Sequence, residues 1–265
     1  MKNLLSLAGF DPTSGAGVSL DIKAFELLGF HGTAVLTSLT SQNTKEVKKI
    51  HCLPPDFIWE QFQTLAKDLP LSGIKVGMIG CKKNIPIVKK ILASNPHIPR
   101  VVDPVFKSSS GEWLLEKEAI PSYISELSEK ASLLTPNLAE AQMIIKAKIE
   151  SIEDTKNAAK KIWSHIKTPC LITGGCFKNR KVDVLYEGKT FHFFERKKIK
   201  KKVHGTGCFL SSSILGYMAN DQPLEKACLL ANQLTWKVIK EAVQIGRGQH
   251  IIFLSKAHRN NEHLR

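Results

Sequence analysis

At 265 residues, with 43% hydrophobic and 23% charged side chains, the chain has globular composition and length enough for a substantial core, which excludes disorder. Its formal net charge of +14 would suit nucleic acid, yet the lysines are spread over the whole chain, often as pairs such as Lys48 and Lys49 or Lys160 and Lys161. With no zinc-finger spacing and no RNA-binding signature beside them, nucleic acid gives way to a basic surface that attracts small anionic substrates such as nucleoside triphosphates.

Residues 3–8 form a short apolar run ending at Gly9, the pattern of a buried strand. A small-residue turn with Gly9, Gly15 and Gly17 follows, then a helix with Val18, Ile22 and Phe25 on one side, closed by Gly29. The order strand, glycine loop, helix is that of a dinucleotide fingerprint, but the spacing is not Gly-x-Gly-x-x-Gly. Residues 33–40 are β-branched and apolar, a second strand, and run into Ser41, Gln42, Asn43 and Thr44. Residues 46–53 read as a partly exposed strand. Pro54, Pro55 and Asp56 open a helix reaching residue 69, with Phe57, Phe62 and Leu65 apolar. A strand at 73–79, a helix at 85–93 and a short strand from residue 100 follow; Pro104 cuts the last one off and leaves Asp103 at its end.

A loop at 108–111 and a helix around 121–130 precede a strand at 132–135, which Pro136 stops. Asn137 then N-caps a helix carrying Glu140. Residues 154–166 read as helix, and 169–173 as a strand ending in Gly174 and Gly175. Residues 182–186 and 190–194 flank Glu187, Gly188 and Lys189, a hairpin signal. A basic run over 196–202 leads into Gly205, Thr206, Gly207 and Cys208, after which Leu210, Ile214 and Met218 take helical spacing. Leu224, Ala227, Ala231, Leu234 and Val238 trace a last long helix. Alternating strands and helices, without repeat or linker, predict a single α/β domain over 1–254 around a mostly parallel sheet, with a polar tail at 255–265. Six scattered cysteines with no short-spaced pair, too short an apolar run for a signal peptide and no stretch of membrane-spanning length predict reduced thiols in a soluble cytoplasmic protein.

Ligands of open α/β sheets bind at the carboxyl ends of the strands, which here brings Gln42, Met78, Asp103, Thr135 and Thr173 to one edge, facing the Gly205 turn. That turn, just ahead of a helix, presents backbone N–H groups and a dipole to an anion; the plainer reading is a connection ahead of a core helix. Cys208 falls in the first helical turn, where a thiol is acidified and serves as base or nucleophile, or else it is a buried core cysteine. Asp103 and Glu140 either hold a magnesium ion together or cap helices and pair with lysines. Gln42 offers a donor and an acceptor to an aminated heterocycle, or stabilises a turn. Asp21 reaches a ligand hydroxyl or is solvated. His204 touches phosphate or is packed.

With these pieces assembled, the chain resembles the phosphomethylpyrimidine kinases of thiamine biosynthesis, which are ribokinase-like enzymes. The match spans residues 4–248 and rests on the stretch from Ala8 through Asp11 and Pro12 to Gly17, on Ser41, Gln42, Asn43 and Thr44, on Val76, Gly77 and Met78, on Val102, Asp103, Pro104 and Val105, on Leu134 through Pro136 and Asn137 to Glu140, and on His204, Gly205, Thr206, Gly207 and Cys208. The resemblance implies a three-layer α/β/α fold and transfer of the γ-phosphate of ATP, with Mg2+, to 4-amino-5-hydroxymethyl-2-methylpyrimidine and, as such enzymes often do, then to its monophosphate. It implies that Gln42 and Asp21 contact the pyrimidine and that Met78 and Val105 wall its ring. Asp103 and Glu140 would belong to the metal–phosphate region, and Asn137, Glu140, Thr173 and Thr206 to the nucleotide side. Gly205, Thr206 and Gly207 would form the anion hole, with Cys208 in the catalytic-base position, and the protein would be a homodimer. A pyridoxine-type alcohol is the alternative substrate, since close relatives phosphorylate that ring. Two departures, Thr173 and Ser109 where the family carries lysines, leave a non-catalytic binding protein as a third reading, unless the basic run at 196–202 supplies the missing charge.

Overall fold

The computed structural model describes residues 1–177 and 180–254. Nine strands form one sheet: β1 (Asn3–Phe10), β2 (His31–Gln42), β3 (Val47–Cys52), β4 (Leu71–Val76), β5 (Arg100–Val102), β6 (Leu133–Leu134), β7 (Cys170–Phe177), β8 (Arg180–Tyr186) and β9 (Phe191–Lys197). Their spatial order is β3-β2-β1-β4-β5-β6-β7-β8-β9. The run from β2 to β7 is parallel, while β3 on one edge and β8 and β9 on the other pair antiparallel. Two short strands, β10 (Val203–His204) and β11 (His250–Ile251), pair with each other apart from this sheet.

Alternating side chains decide how the sheet is covered. Leu5, Leu7, Ile74, Val76, Val102 and Leu134 point to one face, where they meet α2 (Pro55–Asp68), α3 (Ile85–Ala93), α4 (Ile120–Leu127), α5 (Leu138–Ile145) and α6 (Ile152–Ile166). Leu4, Val101, Leu133, Leu171 and Leu185 point to the other, against α1 (Gly17–Leu27), α7 (Thr206–Ala219) and α8 (Leu224–Lys240). Both faces are therefore dry, which is why the central strands read as continuous apolar runs. Each fully buried aliphatic or phenyl side chain contributes about 1.5–3 kcal/mol. The result is a three-layer α/β/α arrangement, as the resemblance implied.

Local departures from the sequence expectations have physical reasons. Helix α2 turns Ile58 and Phe62 inward and leaves Phe57 49% exposed, so the inward stripe is shifted by one residue. Helix α7 is buried almost all round, including Ser211, Ser212 and Ser213, because it lies at the centre of its layer between α1 and α8. The strand expected at 73–79 stops at Val76, and Gly77 and Met78 continue as non-strand backbone at its carboxyl end. The hairpin closes where it was predicted, with Gly188 at φ +92°. All six cysteines are free thiols. Among the described residues no helix is long and apolar enough to cross a membrane. The tail at 255–265 lies outside the described residues.

Candidate active site

The carboxyl ends of β1, β4 and β5 converge on the N-terminus of α7 and enclose a cavity of about 240 Å³. Two glycines make this convergence possible. Gly205, the N-cap of α7 at φ +77°, approaches the glycine loop after β1 so closely that a Cβ on it would lie 1.9 Å from the Gly15 carbonyl oxygen. Gly17, at φ +59°, begins α1 so close to β1 that a Cβ would lie 2.3 Å from the Gly9 oxygen. Any side chain at either position would push the two loops apart, so the turn amides of Gly205, Thr206 and Gly207 are held at the cavity wall by backbone contact.

Beneath that wall lies a buried charge cluster. Lys75 has no exposed surface and places its ammonium 3.0 Å from both Asp21 carboxylate oxygens. Ser6 and Ser212 donate to the same carboxylate at 2.6 and 2.8 Å. Burial works against the Lys75 charge, but Asp21 first, then Cys208 and Asp103, hold its pKa above the ordinary range. Asp103 accepts from Ser211 at 3.1 Å and from Thr135 at 3.4 Å; burial raises its pKa despite Lys75. Glu140 closes a capping box with Asn137, accepting the Asn137 N–H at 2.8 Å while its own N–H donates to the Asn137 side chain at 3.0 Å. Desolvation and then the charge of Asp103 push the Glu140 carboxyl well above the usual carboxylate range. The Cys208 thiol, accepting from the Gly17 N–H, is driven up to about 12 by burial, which outweighs the pull of Lys75.

The opposite side of the cavity is held by side chains. His204 Nε2 lies 2.9 Å from an Asp11 carboxylate oxygen, and its Nδ1 lies 3.2 Å from the Ser109 hydroxyl. The Gln42 amide nitrogen is 3.5 Å from the same ring. One imidazole thus ties the glycine loop, the end of β2 and the 108–111 loop together. The tip of the β2–β3 hairpin is clamped from outside: Gly248 N–H donates to the Thr44 hydroxyl at 3.1 Å and Gln249 N–H to the Thr44 carbonyl at 2.9 Å. A Cβ on Gly248 would lie 1.9 Å from that carbonyl oxygen, so only glycine allows this contact.

Of the residues singled out in the sequence, Gln42, Met78, Val105, Asp103, Asn137 and Glu140 all line this cavity, together with the residues of the Gly205 turn and Cys208. Three expectations are corrected. Asp21 does not reach the cavity: it lies one layer behind, fully buried and saturated by Lys75, Ser6 and Ser212. Thr173 bridges to Asn137 through the backbone but stands off the cavity wall. Cys208 is not acidified by its place at the helix N-terminus, because desolvation costs the thiolate more than the dipole and Lys75 return. Two members of the basic run are engaged elsewhere: Arg196 pairs with Asp183 at 2.6 Å and Lys201 donates to the Lys240 carbonyl at 2.7 Å. Lys45 and Lys107 line the cavity instead. The sequence reading missed Lys75 and Asp11. A lysine inside the apolar stretch Gly73, Ile74, Val76 was the available signal, since an unpaired charge is not tolerated in a strand covered on both faces.

A glycine-built anion turn, two buried carboxylates and an apolar-walled recess at the strand ends of a ribokinase-like sheet define a small-molecule phosphotransferase. The family model for phosphomethylpyrimidine kinase matches residues 11–252. The chain is 39% identical over 250 residues to the hydroxymethylpyrimidine/phosphomethylpyrimidine kinase of Aquifex aeolicus, covering 94% of this chain and 98% of that one. Among solved structures it is similar to the phosphomethylpyrimidine kinase of Clostridium difficile (TM-score 0.79, 31% identity, 90% and 100% of the two chains). It is also similar to an ADP complex of Bacillus subtilis pyridoxal kinase (TM-score 0.88, 26% identity, 95% and 97%). The chain belongs to the phosphomethylpyrimidine kinase family.

Proposed function

We propose that the protein transfers the γ-phosphate of ATP to the hydroxymethyl oxygen of 4-amino-5-hydroxymethyl-2-methylpyrimidine, and in a second round phosphorylates the resulting monophosphate. The observation that carries this reading is that one cavity joins the Gly205 turn and Cys208 to Gln42, Met78 and Val105, with Asp103 and Glu140 between. The Gln42 amide supplies the donor and acceptor that an aminopyrimidine edge requires, and Met78 and Val105 supply apolar walls. The turn amides face the transferring phosphoryl group, whose charge spreads over its outer oxygens in the transition state. Cys208 stands beside them to take the alcohol proton. Because burial keeps its thiol protonated at neutral pH, it acts through the fraction of thiolate that Lys75 and the Gly17 N–H sustain.

Asp103 and Glu140 fit a divalent cation: both are buried hard-oxygen donors with raised pKa values, a cost that a bound cation relieves. When bound, Mg2+ would neutralise charge on the β- and γ-phosphate oxygens. A pyridoxine-type alcohol is the second reading, favoured by the backbone match to pyridoxal kinase. We further read residues 1–254 as one kinase domain acting in the cytoplasm as a homodimer, which light scattering would check.

The test is a coupled ADP-release assay over a panel of pyrimidine and pyridine alcohols. Release that depends on the aminopyrimidine alcohol supports the reading, and release that follows the pyridine alcohols replaces it with the second. Tight ligand binding without ADP release would leave the non-catalytic alternative suggested by Thr173 and Ser109.

A further inference from the structure

Two cysteines that take no part in the cavity meet on the far side of its wall. Cys52 ends β3, and Cys81 follows the Gly80 turn after β4. They are far apart in sequence, yet the Cys52 sulfur reaches the turn that carries Cys81, near enough that Cys81 influences the Cys52 thiol. The backbone next to Cys81 is equally close: a Cβ on Gly80 would lie 3.0 Å from Cys52 Sγ. Both cysteines are half-buried, hence open to a small oxidant.

The two segments are held in this relation by one residue of β2. Thr37 accepts at its carbonyl from Leu53 N–H, next to Cys52, at 3.0 Å and from the Asn84 side chain at 3.3 Å. Its hydroxyl donates to the Met78 carbonyl at 2.6 Å, and Asn84 N–H donates to the Cys81 carbonyl at 3.1 Å. Bonds to one anchor restrict both backbones, so joining the two cysteines needs no loop to fold over. Burial, then the neighbouring Cys81 and Glu116, raise the Cys52 thiol to about 12, so Cys52 holds its proton at neutral pH.

We propose that Cys52 and Cys81 form a reversible intramolecular disulfide, a redox modification site that ties the base of the β2–β3 hairpin to the segment carrying Met78. The oxidant is a small disulfide of the oxidised-glutathione class. The Cys81 thiolate attacks one of its sulfurs, forming a mixed disulfide and releasing one glutathione thiolate. Cys52 then gives up its proton and attacks the Cys81 sulfur, releasing the second. The S–S bond of the oxidant breaks and one protein S–S bond forms. Two cysteine thiols are oxidised, one disulfide is reduced, and the two cysteine protons end on the two glutathione thiols.

The full chain is incubated with oxidised glutathione under native conditions, free thiols are alkylated, and the protein is read by intact mass and by peptide mapping without reductant. The expected product carries a cross-linked peptide joining Cys52 to Cys81 and has lost the mass of two hydrogens at that pair, with dithiothreitol restoring the reduced form. Cys176, which is exposed, reports that the oxidant reached the protein. Cys52→Ser and Cys81→Ser should each abolish the cross-link and leave a glutathione adduct on the remaining thiol. Two separate adducts on Cys52 and Cys81 in the unmutated chain, or two alkylated thiols while Cys176 is modified, would overturn the proposal. Both outcomes are read on the unmutated chain, so a serine variant that fails to fold does not protect it.

Discussion

Where α7 meets the glycine loop, backbone lies against backbone: Gly205 and Gly17 stand so near the carbonyls of Gly15 and Gly9 that no side chain fits, and a buried network of Lys75, Asp21, Asp103 and Glu140 lies directly beneath. Across the cavity the holding is by side chains: His204 lies 2.9 Å from Asp11 and reaches Gln42 and Ser109 at 3.2–3.5 Å, and Ser109 is exposed. The first region has no soft degree of freedom; the second can change by rotamer or by a single substitution. On the proposed assignment, phosphate handling is then fixed by close packing, whereas the choice of alcohol rests on contacts worth about 0.5–1.5 kcal/mol each. This division explains how one backbone can resemble both pyrimidine and pyridoxal kinases.

The sharpest way to break the comparison is at the phosphate end. Cys208→Ser should lower kcat by about 10²–10⁴ while leaving KM for both substrates nearly unchanged, because a proton acceptor is lost and no ground-state contact is. In the unmutated protein burial pushes the thiol up to about 12, so the thiolate is scarce at neutral pH and kcat should rise as the pH is raised. The serine variant should lack this rise in a pH–rate profile. A rise that survives the substitution would remove Cys208 as the base.

Lys75→Met tests the layer below. It leaves Asp21 buried without its cation, and breaking such a pair costs about 3–5 kcal/mol, measurable as a lowered midpoint in urea unfolding. Adding Asp21→Asn should return part of that loss, since the uncompensated charge goes with it. Equal destabilisation in the single and double variants would show that packing rather than charge gives Lys75 its place.

Glu140→Gln should separate stability from activity, with turnover down by about 10²–10³. Burial raises the folded-state pKa of Glu140 above its value in the unfolded chain. Below the unfolded pKa both states are protonated. As pH rises past it the unfolded chain ionises first, and folding stability falls until the folded pKa is reached. A glutamine removes that loss and keeps a carbonyl oxygen for the Asn137 N–H, so the metal-free variant should melt above the unmutated protein at neutral pH and match it in acid. An excess of Mg2+ should narrow the difference by stabilising the carboxylate alone.

The legibility of the sequence follows the same division. Positions where chain geometry allows one solution were readable: Asn137 as the N-cap of the helix carrying Glu140, Glu187-Gly188 as the hairpin, and the Gly205 turn as the helix start. What local patterns could not supply was the outcome of competing terms in three dimensions. Helix position alone argued for an acidic Cys208, but its pKa depends on desolvation that only the assembled fold imposes. Asp21 carries the same local signal whether it faces ligand or a lysine from a distant strand, and the parallel pairing of β1 with β4 decided for Lys75. The link between His204, Asp11 and Ser109 spans most of the chain and leaves no periodic trace.

The smallest effect belongs to the soft side. Ser109→Ala removes the hydroxyl from His204 Nδ1 without touching the Asp11 contact on the other ring nitrogen. Because Ser109 is exposed, water replaces the lost partner and the melting temperature should not move. What changes is the freedom of the 108–111 loop over the alcohol side of the cavity, so KM for the alcohol should rise roughly 2- to 10-fold, the equivalent of one such hydrogen bond, while KM for ATP and kcat stay level. If KM for ATP rises instead, the loop serves the nucleotide and the boundary between the two ends of the cavity must be redrawn on the far side of His204.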